Sequence, residues 1–357
     1  MTGVNAPHRV LVGGRQPAHA RWPVGADADV GAARREVAKL VDDLSPDKDR
    51  HGRAELVVTE LATNLVRHAG GGWLLVRALT PSAIELVAVD DGPGVTDPAG
   101  VLAGPGAGPG AGRVPDAAGL GCGLRAVRRA SARFDAWTGP GRGTVILSVV
   151  DLAEPKDHPG RPPEPRRCAG VSVGVVDPCG DGWAVAEDGD VLTVAVVDGL
   201  GHGPKASLAT DAALIGFAAG VDDFEQFVPR ANARMRDTRG AAVTMCRIDA
   251  AEGLLRYFAI GNVNGRVVPA SGDARGLVTY GGTLGLHVQP PRTRIASMPF
   301  PAGASLVLWT DGLSSRLVPD PELLGHDPAV AAATLLRDHT RNRDDATVVV
   351  VSPGGAR

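Results

Sequence analysis

Apolar residues recur at helical spacing in two segments near the start of the chain. Between residues 27 and 44 they stand three or four positions apart, and between 52 and 69 a second set lines one helix face. The segments that follow predict two strands, a helix and a closing strand, at 73–79, 84–89, 120–133 and 144–150. This order predicts an α/β sandwich with helices on one face of a sheet.

The second half of the chain has a strand-rich pattern of short apolar and β-branched runs bounded by Gly, Asp or Pro. These runs predict strands at 171–176, 184–186, 192–197, 243–248, 254–260, 305–309 and 347–351. Helical spacing predicts helices at 204–219, 224–236 and 329–339. We therefore expect a second α/β sandwich, built from two sheets with flanking helices.

Two compositional breaks interrupt these patterns. Residues 100–115 are almost wholly Gly, Ala and Pro, which predicts a mobile loop because such a run buries little apolar surface. Residues 151–167 are rich in Pro and charge and predict a semi-rigid linker. We therefore expect one domain over 8–150 and a different one over 168–353.

The overall composition excludes several classes of protein. The 357 residues are 44% hydrophobic and 22% charged, which is incompatible with a chain disordered throughout. A formal net charge of −3 argues against a dedicated nucleic-acid binder. No apolar stretch is long enough to span a bilayer, and the four cysteines form no C-x-x-C pair. We expect a cytoplasmic protein with reduced cysteines.

Three polar side chains in the first half share one face of a predicted helix. Glu60, Asn64 and His68 follow one another at spacings of four. Alone, this pattern is more typical of a solvated helix face than of a functional site. Its interpretation changes because three Gly-rich motifs follow it within about 85 residues.

These motifs carry the chemistry that a nucleotide requires. Asp90, at a strand end, suits the adenine amino group, and the side-chain oxygen of Asn64 suits Mg²⁺. A Gly-rich turn before a helix presents backbone N–H groups to phosphates. The glycines concerned are Gly92, Gly94, Gly119, Gly121 and Gly123.

Taken together, the motifs ELATNLVRHAGGG, VDDGPGV, GLGCGLRAVRRASARFD and GRGT resemble the GHKL-type (Bergerat-fold) ATPases. The resemblance covers residues 8–150 and is to bacterial serine-protein kinases that act as anti-sigma factors or as their stressosome switch partners. It implies ATP and Mg²⁺ as cofactors, Glu60 as general base, Asn64 as Mg²⁺ ligand and Asp90 as the adenine-binding carboxylate. The five glycines would shape the pocket, with Thr144 at its floor.

One segment departs from that family's pattern. The lid over the phosphates usually carries polar residues, but here 98–115 holds no Ser, Thr or Lys. An alternative is therefore a non-catalytic ATP-binding module that sequesters a partner, although intact Glu60 and Asn64 oppose it. A histidine-kinase-like ATPase is disfavoured because no helix pair with a phosphoacceptor histidine precedes the domain.

Four aspartates in the second half lie where a predicted strand meets a turn. They are Asp181, Asp198, Asp311 and Asp344. Each alone is more often an ordinary turn residue, but four at strand ends over about 165 residues are a less ordinary coincidence. Carboxylates that hold two divalent cations would activate water against phosphorus, and oxygen-only ligands favour Mg²⁺ or Mn²⁺.

The motifs VSVGVVDPCGD, DGLGHG, GGTLGL, LWTDGL and RDDATVVVV resemble the PPM family of metal-dependent serine/threonine phosphatases. The likeness covers 168–353 and is to the short bacterial members of the sporulation stage II E and stressosome-resetting types. It implies the α-β-β-α fold, with Asp198 bridging two Mn²⁺ or Mg²⁺ ions and the Gly199 carbonyl assisting. Asp311 and Asp344 would hold one metal, with Asp181 near the site, and Asp345 would act as a capping neighbour.

The two resemblances together imply a bifunctional signalling protein. The first domain would phosphorylate a serine or threonine of a regulatory protein, and the second would remove such phosphates. The family likeness implies an anti-sigma antagonist or stressosome-type scaffold as the partner, with a sigma or anti-sigma factor as a further candidate. The alternative keeps the phosphatase active and makes the first domain a binding module only.

Overall fold

The computed structural model describes residues 11–12, 14–44, 48–96, 120–153, 167–220 and 223–352. The described chain divides into two compact units, each of mixed helix and sheet. The first contains residues 19–153 and 329–337. The second contains residues 11–18, 167–328 and 338–352.

The first unit is a five-stranded antiparallel sheet with three helices on one face. Its helices are α1 (Asp27–Leu44), α2 (Lys48–Asn64) and α3 (Leu120–Ala130). Its strands, numbered along the chain, are β2 (Ala20–Val24), β3 (Gly72–Thr80), β4 (Ala83–Asp90), β5 (Arg133–Thr138) and β6 (Thr144–Asp151). In space they are ordered β2-β3-β4-β6-β5.

The apolar periodicity of the helices accounts for this layer. Val37, Leu61 and Val127, one from each helix, are fully buried in a core that also contains Leu74 and Leu86 from the sheet. Burying an aliphatic side chain of this size contributes about 1.5–3 kcal/mol, so each helix depends on the sheet beneath it.

The other face of this sheet holds a buried cluster of charges centred on Glu85. Its carboxylate is bonded by Arg77 at 2.7 Å, His19 at 3.1 Å and Arg133 at 3.1 Å. Burial alone would raise the pKa of Glu85, but the Arg77 charge, the His19 hydrogen bond and the Arg133 charge hold it well below its ordinary value. Arg77 and Glu85 lie within the runs 73–79 and 84–89, which the sequence pattern predicts simply as strands.

The second unit is a sandwich of two antiparallel sheets. One sheet has the order β1-β8-β9-β10-β11-β14, and the other has the order β13-β12-β15-β16-β7. The strands of the first are β1 (Leu11–Val12), β8 (Asp181–Asp188), β9 (Val191–Gly199), β10 (Ala241–Asp249), β11 (Leu254–Ile260) and β14 (Ala296–Pro299). Those of the second are β7 (Cys168–Val173), β12 (Asn264–Val268), β13 (Arg275–Gly276), β15 (Ser305–Trp309) and β16 (Ala346–Val351).

Alternation along the strands divides the apolar residues of this unit into two cores. Trp183, Val194 and Leu306 belong to the core that lies between the sheets. Phe258 and Val243 face the opposite way and pack against helices α4 (Pro204–Ala218) and α5 (Phe224–Arg234). The remaining long helix, α6, spans Pro328–His339, and its residues 329–337 are grouped with the first unit.

The unit boundaries differ from the sequence expectation at the start of the chain. We expected the first domain to begin at residue 8, but residues 11–18 belong to the second unit. The physical reason is strand pairing: Leu11 and Val12 pair with Glu187 and Ala186 of β8. The expected linker lies mostly outside the described residues.

The predicted helices and strands are otherwise present to within a few residues. The sequence missed β1, β2, β5, β12, β13 and β14, which are short or carry little apolar alternation. The predicted helix over 120–133 ends at Ala130, where the Ser131 hydroxyl donates to the Val127 carbonyl and the chain turns into β5. None of the described helices combines the length and the apolarity needed to cross a membrane.

Candidate functional sites

Glu60, the predicted general base, lies on α2 against the beginning of α3. Its carboxylate approaches Gly123 so closely that a Cβ at position 123 would overlap Oε2. A glycine at this position therefore lets α3 approach the carboxylate. Gly121 lies in the same first turn of α3, whereas Gly119 and the predicted lid lie outside the described residues.

Asn64, the predicted Mg²⁺ ligand, is the last residue of α2. A π-helical turn over Leu65–Ala69 follows it and ends at Gly70, whose φ of 76° is the left-handed conformation that glycine favours. The side-chain nitrogen of Asn64 is buried and has no hydrogen-bond partner among the described residues. An N–H group in this condition calls for a hydrogen-bond acceptor, whereas a role as Mg²⁺ ligand would use the side-chain oxygen of Asn64.

Asp90 ends β4 directly opposite Thr144, the first residue of β6. Its Oδ1 accepts hydrogen bonds from the backbone N–H groups of Gly92 at 2.8 Å and Thr144 at 3.0 Å. Burial raises the pKa of Asp90, and the two N–H groups partly offset that rise. The backbone thus fixes Oδ1 of Asp90, and this also orients the other carboxylate oxygen.

The glycines after Asp90 are required by close backbone approaches. Gly94 has a φ of 67°, and a Cβ there would overlap the Gly139 carbonyl. A Cβ at Gly92 would come within 3 Å of Ala69. The structure thus joins Asp90, Gly92 and Thr144 in one group and Glu60 and Gly123 in another, without a described hydrogen bond between the two groups.

The acidic residues of the second unit gather at the ends of four strands. Asp181 begins β8 and pairs in register with Asp198 near the end of β9. Asp311 lies two residues after the end of β15, and Asp344 lies two residues before the start of β16, which pairs with β15. The strand ends therefore bring together all four predicted metal ligands.

Asp181 and Asp198 are buried side by side, and this crowding disfavours their charged forms. Burial and the neighbouring Asp198 raise the pKa of Asp181 well above its ordinary value, although the Thr310 hydroxyl donates to Asp181 Oδ2 at 2.7 Å. Burial, Asp311 and Asp344 raise the pKa of Asp198 to about 7. Asp198 Oδ2 is buried without a hydrogen-bond partner in the described part of the chain.

The remaining carboxylates are held by hydrogen bonds. The Asn262 amide donates to Asp311 Oδ2 at 2.6 Å, and Asp344 Oδ1 accepts from the backbone of Asp345 at 2.9 Å. Asp345 accepts from the backbone N–H groups of Val175 at 2.8 Å and Gly180 at 2.5 Å. The Asp345 side chain therefore fastens the turn before β8, and only its backbone N–H bonds Asp344.

Gly199, the predicted carbonyl ligand, ends β9 in a very close packing contact. A Cβ at this position would overlap the carbonyl oxygen of Ala206 on α4. The backbone N–H of Gly199 donates to the Gly180 carbonyl at 3.3 Å. A side chain at 199 would separate α4 from the strand. The glycine thus keeps the helix against the acidic cluster.

The donor set of this cluster fits hard divalent cations. All four predicted ligand side chains offer oxygen only, and the unpartnered buried oxygen of Asp198 has the chemistry of a metal ligand. Among the described residues no three acidic, His or Cys side chains already converge as a closed ion cage. The four aspartates therefore offer oxygen ligands near one another, and a bound cation would draw these oxygens together.

Sequence reasoning missed two side chains that orient these carboxylates. Thr310 bonds Asp181, and Asn262 bonds Asp311. Thr310 immediately precedes Asp311 in the LWTDGL motif, so the sequence already places Thr310 next to a predicted metal ligand. Asn262 lies 49 positions away from Asp311, and nothing in the sequence connects them.

Comparison with known families agrees with the two units. Residues 25–149 match the family model described as a histidine kinase-like ATPase domain, and residues 188–353 match that of stage II sporulation protein E (SpoIIE). The chain therefore carries a GHKL-like ATPase domain followed by a SpoIIE-like phosphatase domain of the PPM type, which confirms both resemblances.

Particular relatives match about half of this chain or more. The phosphoserine phosphatase RsbX of Bacillus subtilis (strain 168) is 27% identical over 175 residues, which are 48% of this chain and 86% of the relative. A crystal structure of RsbX in complex with magnesium is 25% identical with a TM-score of 0.45, covering 51% of this chain and 92% of that one. A SpoIIE phosphatase structure from Bacillus subtilis is 14% identical with a TM-score of 0.43, covering 92% and 95%.

Proposed function

We propose that the chain is a bifunctional signalling protein with a metal-dependent phosphatase and an ATP-dependent protein kinase. The phosphatase removes phosphate from serine or threonine of a regulatory protein. The kinase transfers phosphate from ATP to such a residue. The 27% identity to a phosphoserine phosphatase supports the first activity.

The observation that carries the phosphatase proposal is the condition of Asp198. Its carboxylate is buried among other carboxylates, and one of its oxygens has no partner in the described residues. Such a group is costly to maintain unless a ligand compensates it. A divalent cation supplies that compensation.

Asp198, Asp311 and Asp344 would hold two Mg²⁺ or Mn²⁺ ions, with the Gly199 carbonyl as a further ligand and Asp181 beside them. Bound ions of this kind lower the pKa of water and neutralise phosphate charge. The chain's own contribution is orientation, since Asn262 fixes the Asp311 carboxylate.

Phosphate release from a phosphoserine peptide in Mn²⁺ tests this activity. We expect Asp198→Ala and Asp311→Ala to lose at least about a hundredfold in kcat, because each removes a metal ligand. Asp273→Ala is the matched control, since Asp273 is an exposed aspartate of the same unit. Full hydrolysis after chelation of divalent ions would disprove the proposal.

The kinase proposal is supported by the placement of Glu60 and Asn64. Glu60 would accept the proton of the attacking hydroxyl, and Asn64 would hold the Mg²⁺ of ATP, while Asp90 would bind the adenine amino group. The partner would be an anti-sigma antagonist or a stressosome-type scaffold, possessing a serine or threonine acceptor.

Transfer of labelled phosphate from ATP to a purified candidate partner tests the kinase. The chain for this test should carry Asp198→Ala, so that the phosphatase does not erase the product. We expect labelling that Glu60→Gln abolishes and that Glu36→Gln, a control on α1, leaves intact. ATP binding without transfer would instead favour the binding-module alternative, which the Gly/Ala/Pro composition of 100–115 supports.

A further inference from the structure

Arg15 lies in the short segment that precedes the ATPase domain but packs within the phosphatase unit. The segment follows β1, and the Gln16 N–H donates to the Trp183 carbonyl of β8 at 2.9 Å. Only 21% of the Arg15 side chain is exposed. Gly182 leaves room for it, since a Cβ there would lie 2.8 Å from Arg15 Nε.

The Arg15 guanidinium makes four hydrogen bonds to two different elements. Nη2 donates to the backbone carbonyls of Cys179 at 2.6 Å and Asp181 at 2.7 Å. Nη1 donates to the Ser207 hydroxyl at 2.8 Å and to Asp211 Oδ1 at 2.7 Å, both on α4. A planar guanidinium suits this task because its donors point in fixed directions.

These bonds fasten the backbone on either side of Gly180 to helix α4. The same turn is held from another direction by Asp345, which accepts the Gly180 N–H, and by the Thr210 hydroxyl, which donates to the Gly180 carbonyl. The turn ends at Asp181, the residue that pairs in register with Asp198. Its position therefore sets how closely the two buried carboxylates approach.

Repulsion between the Asp181 and Asp198 carboxylates favours displacement of the turn that carries Asp181. Two like charges that share a buried position favour separation, and Asp181 is the first residue of its strand, next to the turn. The Arg15 guanidinium opposes this separation because it donates hydrogen bonds both to the carbonyls of the turn and to side chains of α4. Without it, binding of a metal would have to supply the ordering that Arg15 now provides in advance.

We propose that Arg15 is a positioning residue of the phosphatase, which pre-organises the Cys179–Asp181 turn and α4 for binding of the divalent cations. The inference rests on the proposed phosphatase activity. It makes a residue located before the ATPase domain necessary for efficient metal loading of the domain after it.

Metal titration of the full-length protein tests the proposal. Mn²⁺ binding, by isothermal titration calorimetry, and phosphoserine-peptide hydrolysis are both measured against Mn²⁺ concentration for the wild type, Arg15→Gln and Arg256→Gln. Arg256 is an exposed arginine of the same unit and serves as the control. We expect Arg15→Gln to raise the half-activating Mn²⁺ concentration at least about tenfold, which corresponds to about 1.4 kcal/mol, and to change kcat at saturating Mn²⁺ less than about threefold. The control should retain the wild-type midpoint.

Two further variants separate positioning from general stabilisation. Asp211 is half exposed, so Asp211→Asn should fold and should shift the midpoint in the same direction by a smaller factor. Combined with Arg15→Gln it should add little, because the two residues share one interaction. Added guanidinium ion should partly restore the midpoint of Arg15→Ala, whereas an equal concentration of sodium chloride should not.

The outcomes distinguish this inference from the proposed function. A wild type without Mn²⁺-dependent hydrolysis refutes the phosphatase itself. An active wild type whose midpoint is unchanged by both Arg15→Gln and Asp211→Asn refutes the positioning role. A lowered melting temperature of Arg15→Gln with an unchanged midpoint would likewise make Arg15 a structural residue only.

Discussion

The Asp198→Asn substitution should stabilise the metal-free phosphatase domain, and it should do so more strongly at higher pH. The buried carboxylate has a pKa of about 7 instead of 3.8. This difference in pKa corresponds to about 4 kcal/mol of folding free energy, which the domain loses when the Asp198 carboxylate ionises. An amide of nearly the same shape removes the ionisation.

The direction of this pH dependence follows from proton binding by Asp198 in the folded and unfolded states. Because the folded pKa exceeds the unfolded pKa, the folded state binds the proton more tightly, so stability is greatest below about pH 4 and falls as the pH rises through about 7. The advantage of Asp198→Asn should therefore grow by about 2 kcal/mol between about pH 5.5 and about pH 8. Divalent cations should reverse the order by stabilising only the wild type.

Calorimetric unfolding of chelator-treated protein at the two pH values measures this difference. The transition of the phosphatase domain is followed for the wild type, Asp198→Asn and the control Asp273→Asn. A destabilised Asp198→Asn protein at high pH, or an advantage that does not change with pH, would refute the assignment of Asp198 as a crowded, buried carboxylate.

Three other substitutions test separate parts of the structure. Asn262→Ala should lower phosphatase kcat/KM about tenfold by releasing the Asp311 carboxylate, as steady-state assays would show; an unchanged value would mean that the 2.6 Å hydrogen bond is dispensable. Glu85→Gln should cost the ATPase domain about 3–5 kcal/mol in urea unfolding, because Arg77 stays buried without its carboxylate. Since the pKa of Glu85 is lowered, this loss should be full above about pH 4.5 and shrink in more acidic solution, and a loss independent of pH would contradict it. Asn64→Ala should weaken Mg·ATP binding at least about tenfold in calorimetric titration while affecting metal-free ATP less, and equal weakening of both would remove its assignment as a Mg²⁺ ligand.

The sequence predicted those parts of the fold that depend on local pattern. Helical spacing located α2 and α4, and β-branched runs located β9 and β16, because each element buries a continuous apolar stripe. Asp90 and Asp198 could be singled out as candidates because each is a carboxylate at a strand end with a glycine one or two positions further on, which combines turn chemistry with ligand chemistry. These are properties of neighbouring residues.

The features that the sequence did not reveal depend on distant residues. β1 has two residues, too few to show any periodicity, and its pairing with β8 crosses more than 170 positions. Arg15 is 196 positions from Asp211, and the charges of Arg77 and Glu85 are tolerated inside a sheet because the fold pairs them. Such contacts are defined by the tertiary structure alone.

Diffraction from crystals grown with manganese tests the central claim most directly, because the anomalous signal locates the ion independently of any assay. We expect two manganese peaks among Asp198, Asp311 and Asp344, with the Gly199 carbonyl as a ligand. Crystals in which manganese is absent from these carboxylates, or binds elsewhere in an enzyme that is active, would contradict it.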